Sequence, residues 1–200
     1  MKKLGLMAAM AAVVAITLST VAPQVSAQPT ARFFDPVSRT WVDFGPGARY
    51  RGKSPVKKEV INYDGPYGAN TIIVDTSERR LYYVIGNGKA LKYGVGVGRE
   101  GFQWSGTHRI TRKAEWPGWT PPPAMRKRQP GLPSYMEGGP NNPLGARALY
   151  IGSTLYRIHG SNEPWTIGQA VSSGCIRMTN DDVTDLYERV NVGTKVVVRH

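Results

Sequence analysis

The chain predicts a mainly β domain with one well-marked helix, and three observations carry that prediction. From Asn70 onward, short runs of β-branched and aromatic residues recur. An Asn-Gly pair separates two of them, and a single segment keeps an apolar period of 3.6.

In chain order, "NTIIVDTS" and "RRLYYVIG" are the first two strand candidates. "IGNGKALKYGVGVG" follows, with Asn87-Gly88 as the turn of a hairpin. A type I′ turn needs positive φ at both central residues, and Asn-Gly tolerates this best. "THRITRKA" alternates polar and apolar, "ALYIGS" and "LYRIHG" are two further strands, and "TKVVVRH" closes the chain as another. The helix is "TNDDVTDLYERV". Thr179 or Asn180 is its N-cap and acids fill its first turn. Val183, Leu186, Tyr187 and Val190 fall at i, i+3, i+4 and i+7. The segment 115–147, rich in Pro and Gly, lacks a period and reads as one long loop. Trp116, Trp119 and Tyr135 are its candidates for walling a cleft, or for ordinary packing on the sheet.

Two segments precede this domain. Residues 1–27 have a basic start at Lys2 and Lys3, an apolar run from Leu4 to Leu18, and small residues at Val25, Ser26 and Ala27. This is the layout of a secretory signal peptide. The apolar run is short for a membrane span, which needs about 20 residues, and no cysteine near the cleavage site invites lipidation. Residues 28–68 carry many Pro, Gly, Lys and Arg and read as an irregular basic leader. The domain proper is then 69–200. Cleavage leaves 173 residues and lowers the formal charge from +12 to +10, because the removed segment holds two lysines and no acid. An exported basic protein meets cell-wall carboxylates and outer-membrane phosphates rather than nucleic acid, unless the charge serves only solubility.

Export makes the lone cysteine informative. Cys175, in "AVSSGCIRM", has no partner within the chain, so it is either a buried small hydrophobe or a reactive thiol. Gly174 beside it lets the backbone approach a substrate and frees amides to face an oxyanion. Arg177, two residues on, can lower the thiol pKa or clamp a carboxylate; its structural alternative is an ion pair with Asp181, Asp182 or Asp185. A thiol attacking an acyl centre needs a base, and the histidines are His108, His159 and His200. His159 ends a strand and precedes Gly160, which suits a side chain reaching into a cleft. Glu163 is the only acid nearby. Cys175, His159 and His108 could together ligate zinc, but their spacing matches no usual zinc pattern.

"HG" at 159–160 followed by "SSGCIRM" at 172–178 resembles the signature of the YkuD-type L,D-transpeptidases, and the resemblance extends over about residues 69–200. It includes "GVGVGREGFQWSGTHRI", "WTPPPAM" and "GGPNNPLGARALYIG". It implies a β-rich, sandwich-like catalytic domain with a short helix after the cysteine motif and a long loop lining the cleft. Carried over by position, Cys175 is the nucleophile and His159 its general base. A carbonyl of Gly160 or Ser161 orients the imidazole, and amides near Gly174 and Cys175 form the oxyanion hole. Arg177, Ser172, Ser173 and Trp165 make up the expected substrate-binding set. Ser173 stands where many members carry a second histidine. The implied reaction is cysteine acyl transfer without a cofactor. Peptidoglycan stem peptides are the donors. A neighbouring stem, an envelope protein or a free D-amino acid is the acceptor. Chain order separates this family from NlpC/P60-like peptidases, where the cysteine comes before the histidine. The remaining alternatives are a stem-trimming carboxypeptidase or endopeptidase and a non-catalytic wall-binding protein. The expected location is the periplasm, at the cell wall.

Overall fold

Nine strands join edge to edge to form the main sheet. The computed structural model describes residues 54–200, together with the backbone of 31–35 and 40–44. The expected signal peptide, 1–27, lies outside the described residues.

Two strands arise within the segment that the sequence reads as irregular. β1 (Ala31–Asp35) and β2 (Thr40–Phe44) pair as an antiparallel hairpin of their own. "ARFFD" and "TWVDF" are aromatic and β-branched, and that preference outweighs the surrounding Pro, Gly and basic residues. β3 (Glu59–Asn62) is a correction of more consequence. It pairs with the strand Lys89–Gly94 at the edge of the main sheet, so the basic leader contributes a strand to the domain. Val56 just before it is buried and packs on Gly94, where any side chain would collide with it. An edge strand exposes one hydrogen-bonding side and much of its surface, so "EVIN" needs no apolar run to hold its place.

β4 (Thr71–Asp75), β5 (Arg80–Gly86) and β6 (Lys89–Gly94) follow as a meander. Asn87 and Gly88 take φ of +51° and +66°, as the hairpin turn requires. β7 (Val97–Gly98) is short, and β8 (Gly106–Glu115) is the longest strand. α1 (Pro123–Arg128) is a second helix that the single-helix expectation missed. It starts on Pro123, whose fixed φ suits a first helical residue, and buries nothing, so no apolar period announces it. β9 (Arg147–Ile151), β10 (Arg157–His159), β11 (Ala170–Ser172) and β12 (Ile176–Arg177) lead into α2 (Asn180–Arg189), and β13 (Lys195–Arg199) ends the chain. Thr179 caps α2 by accepting the Asp182 N–H at 3.1 Å, and Val183, Leu186 and Val190 are buried.

β8 joins the two halves of the sheet. Its first residues pair with β13 and its later ones with β9, with an irregular register between Ile110 and Arg112. Both halves then contribute to one core: Ile72, Leu81 and Tyr93 from one, Leu149, Ile158 and Ile176 from the other, with Val183 and Leu186 of α2 between. β12 ends the second half, paired in parallel with β10 on one side, and Arg177 exchanges backbone hydrogen bonds with Gly96 on the other.

Candidate active site

The two-residue alternation of strands assembles the site. In β10, Ile158 is fully buried in the core, so Arg157 and His159 project from the other face. In β12, Ile176 does the same, with Cys175 before it and Arg177 after it. The parallel register pairs Ile158 with Ile176 and His159 with Arg177. Cys175 therefore comes opposite Arg157 and diagonal to His159. All four line one cavity of about 350 Å³. His159 is 4% exposed, whereas Cys175 is partly open.

His159 has a defined tautomer. Its Nδ1 lies 2.6 Å from the Gly160 carbonyl, which can only accept, so Nδ1 carries the proton and Nε2 is left as the base. Of the two carbonyls that the resemblance offered, Gly160 is the one in contact. Burial, then the Arg177 cation, lowers the imidazole pKa to about 3, against the smaller opposing effect of the Gly160 carbonyl. The ring rests neutral. Gly160 itself is needed for closeness, because a Cβ there would strike Asn180 Oδ1 and the Ala146 amide. Asn180 Oδ1 accepts the Ala146 N–H at 2.9 Å and so ties the start of α2 to the end of the long loop.

Cys175 Sγ sits 4.0 Å from the Leu155 carbonyl, the long limit of a weak S–H···O contact. Burial pushes the thiol pKa up; the Arg157 cation and its hydrogen bonds to sulfur, then Arg177, pull it down. Arg157 was not anticipated from the sequence. Its place opposite the thiol depends on a strand register that spacing alone does not disclose. Arg177 resolves differently from the expected ion pairs with Asp181, Asp182 or Asp185: its partner is Glu163, at 2.8 Å.

The cysteine loop is braced from inside. Ser172 Oγ donates to the Cys175 carbonyl at 2.6 Å and accepts the Gly174 N–H at 3.1 Å. The Ser172 hydroxyl and the Gly174 amide are thus both engaged within the loop. Gly174 takes φ of +105° and lies against the Tyr156 ring, where a side chain would clash. Tyr156 stacks on Trp104 with centroids 4.5 Å apart, and Trp104 Nε1 donates to the Gly174 carbonyl at 2.7 Å. Sequence reasoning missed this stack; the aromatics were visible, but their pairing was not.

Ser173 lines the cavity as expected. Trp165 does not line it; it lies in a 3-10 turn, and its carbonyl accepts from Gln169. Ser161 is buried, and its hydroxyl accepts the Glu163 N–H. The long loop does wall the cavity through Trp119, Met125 and Leu144, whereas Trp116 and Tyr135 are absent from the wall. Buried Asn142 holds the loop, donating to the Met136 and Glu137 carbonyls and accepting from Leu144 N–H. His108 packs edge-on to Trp104, and His200 Nδ1 contacts Thr76 Oγ1, so neither lines the cavity.

Comparison with known proteins follows the same lines. Residues 69–198 match the YkuD family, the L,D-transpeptidase catalytic domain. An Escherichia coli K12 protein described as a probable L,D-transpeptidase, ErfK/SrfK, is 42% identical over 136 residues, which cover 64% of this chain and 43% of that protein. The chain thus matches less than half the length of that relative. A Brucella melitensis crystal structure described as a probable carnitine operon oxidoreductase is 42% identical, with a TM-score of 0.50 and coverage of 74% of this chain and 96% of that one. L,D-transpeptidase 3 of Mycobacterium tuberculosis, solved with a faropenem-derived adduct, shares the fold at 17% identity and TM-score 0.51, over 65% of this chain and 60% of its own.

Proposed function

This chain belongs to the YkuD family of L,D-transpeptidase catalytic domains, and from that premise we propose that it is a peptidoglycan L,D-transpeptidase working through Cys175. The observation that carries the proposal is a free thiol and a neutral, tautomer-locked imidazole lining one cavity. A neutral Nε2 can take a proton from a neutral thiol at the moment of attack, which avoids separating charge in a buried site beforehand.

The S–H turns from the Leu155 carbonyl towards His159. Sγ bonds to the carbonyl carbon of the third residue of a stem tetrapeptide as Nε2 takes the thiol proton. The oxyanion faces the backbone amide of Cys175, since the Gly174 amide is engaged by Ser172. The C–N bond to the terminal D-alanine breaks, and Nε2 returns its proton to the departing amine. An acceptor amine then attacks the thioester carbonyl as Nε2 takes its proton; the C–S bond breaks and that proton passes to the departing sulfur, restoring the thiol. A stem amine yields a 3→3 crosslink, a protein lysine an anchored envelope protein, and a free D-amino acid an exchanged terminus. Arg157 and Arg177 stabilise the thiolate character that develops on sulfur. The 69–200 segment, completed by the β3 strand, is the catalytic unit. Its workplace is the periplasmic face of the cell wall, where such stems lie.

The test is mass analysis of a disaccharide-tetrapeptide incubated with residues 28–200 and with Cys175→Ala. Loss of D-alanine with a new dimer, absent in the variant, is the expected result. Loss without a dimer means that water or a protein lysine is the acceptor. No loss with the intact thiol overturns the proposal.

A further inference from the structure

A second cluster at the cavity wall plays no part in this chemistry. Phe102 lines the cavity, and two guanidinium groups lie over its ring: Arg99 at 4.6 Å and Arg128 at 5.3 Å from the centroid. They come from different parts of the chain, one from the turn after β7 and one from the last turn of α1. Two cations sharing one ring repel each other, and the ring only partly compensates. Neither forms an ion pair with a carboxylate among the described residues. The cavity wall itself carries Arg128, Arg157 and Arg177 and no Asp or Glu. Glu163 answers Arg177, so the charge on Arg99 and Arg128 is left for an occupant.

The cluster is also fixed close to the nucleophile. The Arg99 N–H donates to the Ser172 carbonyl at 3.0 Å, and Phe102 N–H donates to the Arg99 carbonyl at 2.9 Å. Ser172 is the residue whose hydroxyl braces Cys175. A backbone staple therefore sets the two-arginine ring beside the cysteine loop. Phe102, Arg128 and Cys175 line the same cavity, so an occupant attacked at Cys175 also meets this ring.

We propose that Arg99 and Arg128, seated on Phe102, form a carboxylate subsite of the donor peptide. The subsite rests on the acyl-transfer reading and names what selects the donor: a carboxylate carried one residue or less from the scissile amide. Guanidinium forks suit this ligand because each presents paired N–H donors to both oxygens. Of the three carboxylates of such a stem tetrapeptide, two lie on the residues that flank the scissile amide. One ends the departing D-alanine; the other ends the side chain of a third residue such as diaminopimelate.

The test is calorimetric titration of Cys175→Ala protein with L-Ala-D-isoglutamyl-meso-diaminopimelyl-D-Ala. Two further peptides have either the D-alanine carboxylate or the diaminopimelate side-chain carboxylate capped as an amide. The same three peptides are titrated into protein that also carries Arg99→Gln and Arg128→Gln, whose melting temperature is checked against the parent. One cap is expected to weaken binding to the parent about 10- to 100-fold, and which cap does so identifies the source of the carboxylate. The arginine variant should lose the same factor on the uncapped peptide and become indifferent to that cap. Equal binding by parent and variant, an equal loss on capped and uncapped peptides, or no binding to the parent overturns the subsite. The titrations use inactive protein, so they do not depend on turnover. Peptide that binds as expected but is never cleaved by the Cys175 enzyme sinks the acyl-transfer reading alone.

Discussion

His159 with Cys175, and Asp185 with its neighbours, are opposite uses of a partly enclosed setting. Around Asp185, Tyr93 donates at 2.6 Å, Lys58 lies at 3.2 Å and Arg189 at 2.8 Å. Those donors outweigh the cost of burial and hold the carboxyl at about pKa 2, so the group stays charged. At the site, burial is the largest influence on both groups; the Arg177 cation adds to it at the imidazole, whereas Arg157 and Arg177 oppose it at the thiol. The imidazole is lowered to about 3 and the thiol is raised, so both groups stay neutral. The difference teaches that charge follows the balance of burial and donors: at Asp185 the donors outweigh burial, and at Cys175 burial outweighs the neighbouring cations. A structural cluster is built to hold a charge, and the site is built to make charge only during reaction.

The largest expected effects separate the two regions outright. Cys175→Ala and His159→Gln should each slow D-alanine release by about 10³-fold or more. Asp185→Asn should leave that rate within about twofold, since it touches no cavity residue. Comparable losses in all three, measured as initial rates on folded protein, would erase the distinction.

Gly174→Ala comes next. It forces a Cβ into the Tyr156 ring at a φ of +105° and should cost about 2–3 kcal/mol in urea unfolding. A loss below about 0.5 kcal/mol would mean that the loop is not held as tightly as the Trp104–Tyr156 stack implies.

Acid titration should divide the two regions by pH window. His159 has a folded pKa below its unfolded value of 6.5, so the unfolded chain binds the extra proton between about 6.5 and 3. Stability from keeping the ring neutral is full above 6.5 and is lost as pH falls towards 3. Asp185 is also depressed, from 3.8 to about 2, so its contribution is full above 3.8 and is lost as pH falls through 2. His159→Gln should flatten the upper window and Asp185→Asn the lower one, each read from urea midpoints across pH. At pH 7, Asp185→Asn should cost about 1 kcal/mol.

The smallest effect falls within the site. Arg157→Ala should raise the pH midpoint of Cys175 alkylation by iodoacetamide and slow labelling at pH 7 about threefold to tenfold. Arg157→Lys should restore most of it. An unchanged profile would remove Arg157 from the electrostatics of the thiol.

Local patterns were legible where local physics decides. The Asn87-Gly88 turn, the Thr179-capped helix and the strands around Ile72, Tyr83 and Val197 follow from residue preference and period, because backbone sterics and apolar alternation act over a few residues. Cys175 and His159 stood out as the lone cysteine and the histidine of a His-Gly pair. β3 did not stand out, because an edge strand needs little apolar pattern. α1 did not either, because it buries nothing.

The sequence by itself therefore determined the β-rich class, the hairpin and the helix, and it singled out Cys175 and His159 as the candidate pair. Only tertiary structure decided that Arg157 faces the thiol, that Glu163 rather than an α2 acid answers Arg177, and that Gly160 orients His159. It also decided that Arg99 and Arg128 meet on one ring. Each of these depends on which strands lie side by side and in what register. A shift of one residue would turn every such side chain to the opposite face. Register is set by the shared core of both sheet halves, a sum over many distant contacts that no short stretch of the chain contains.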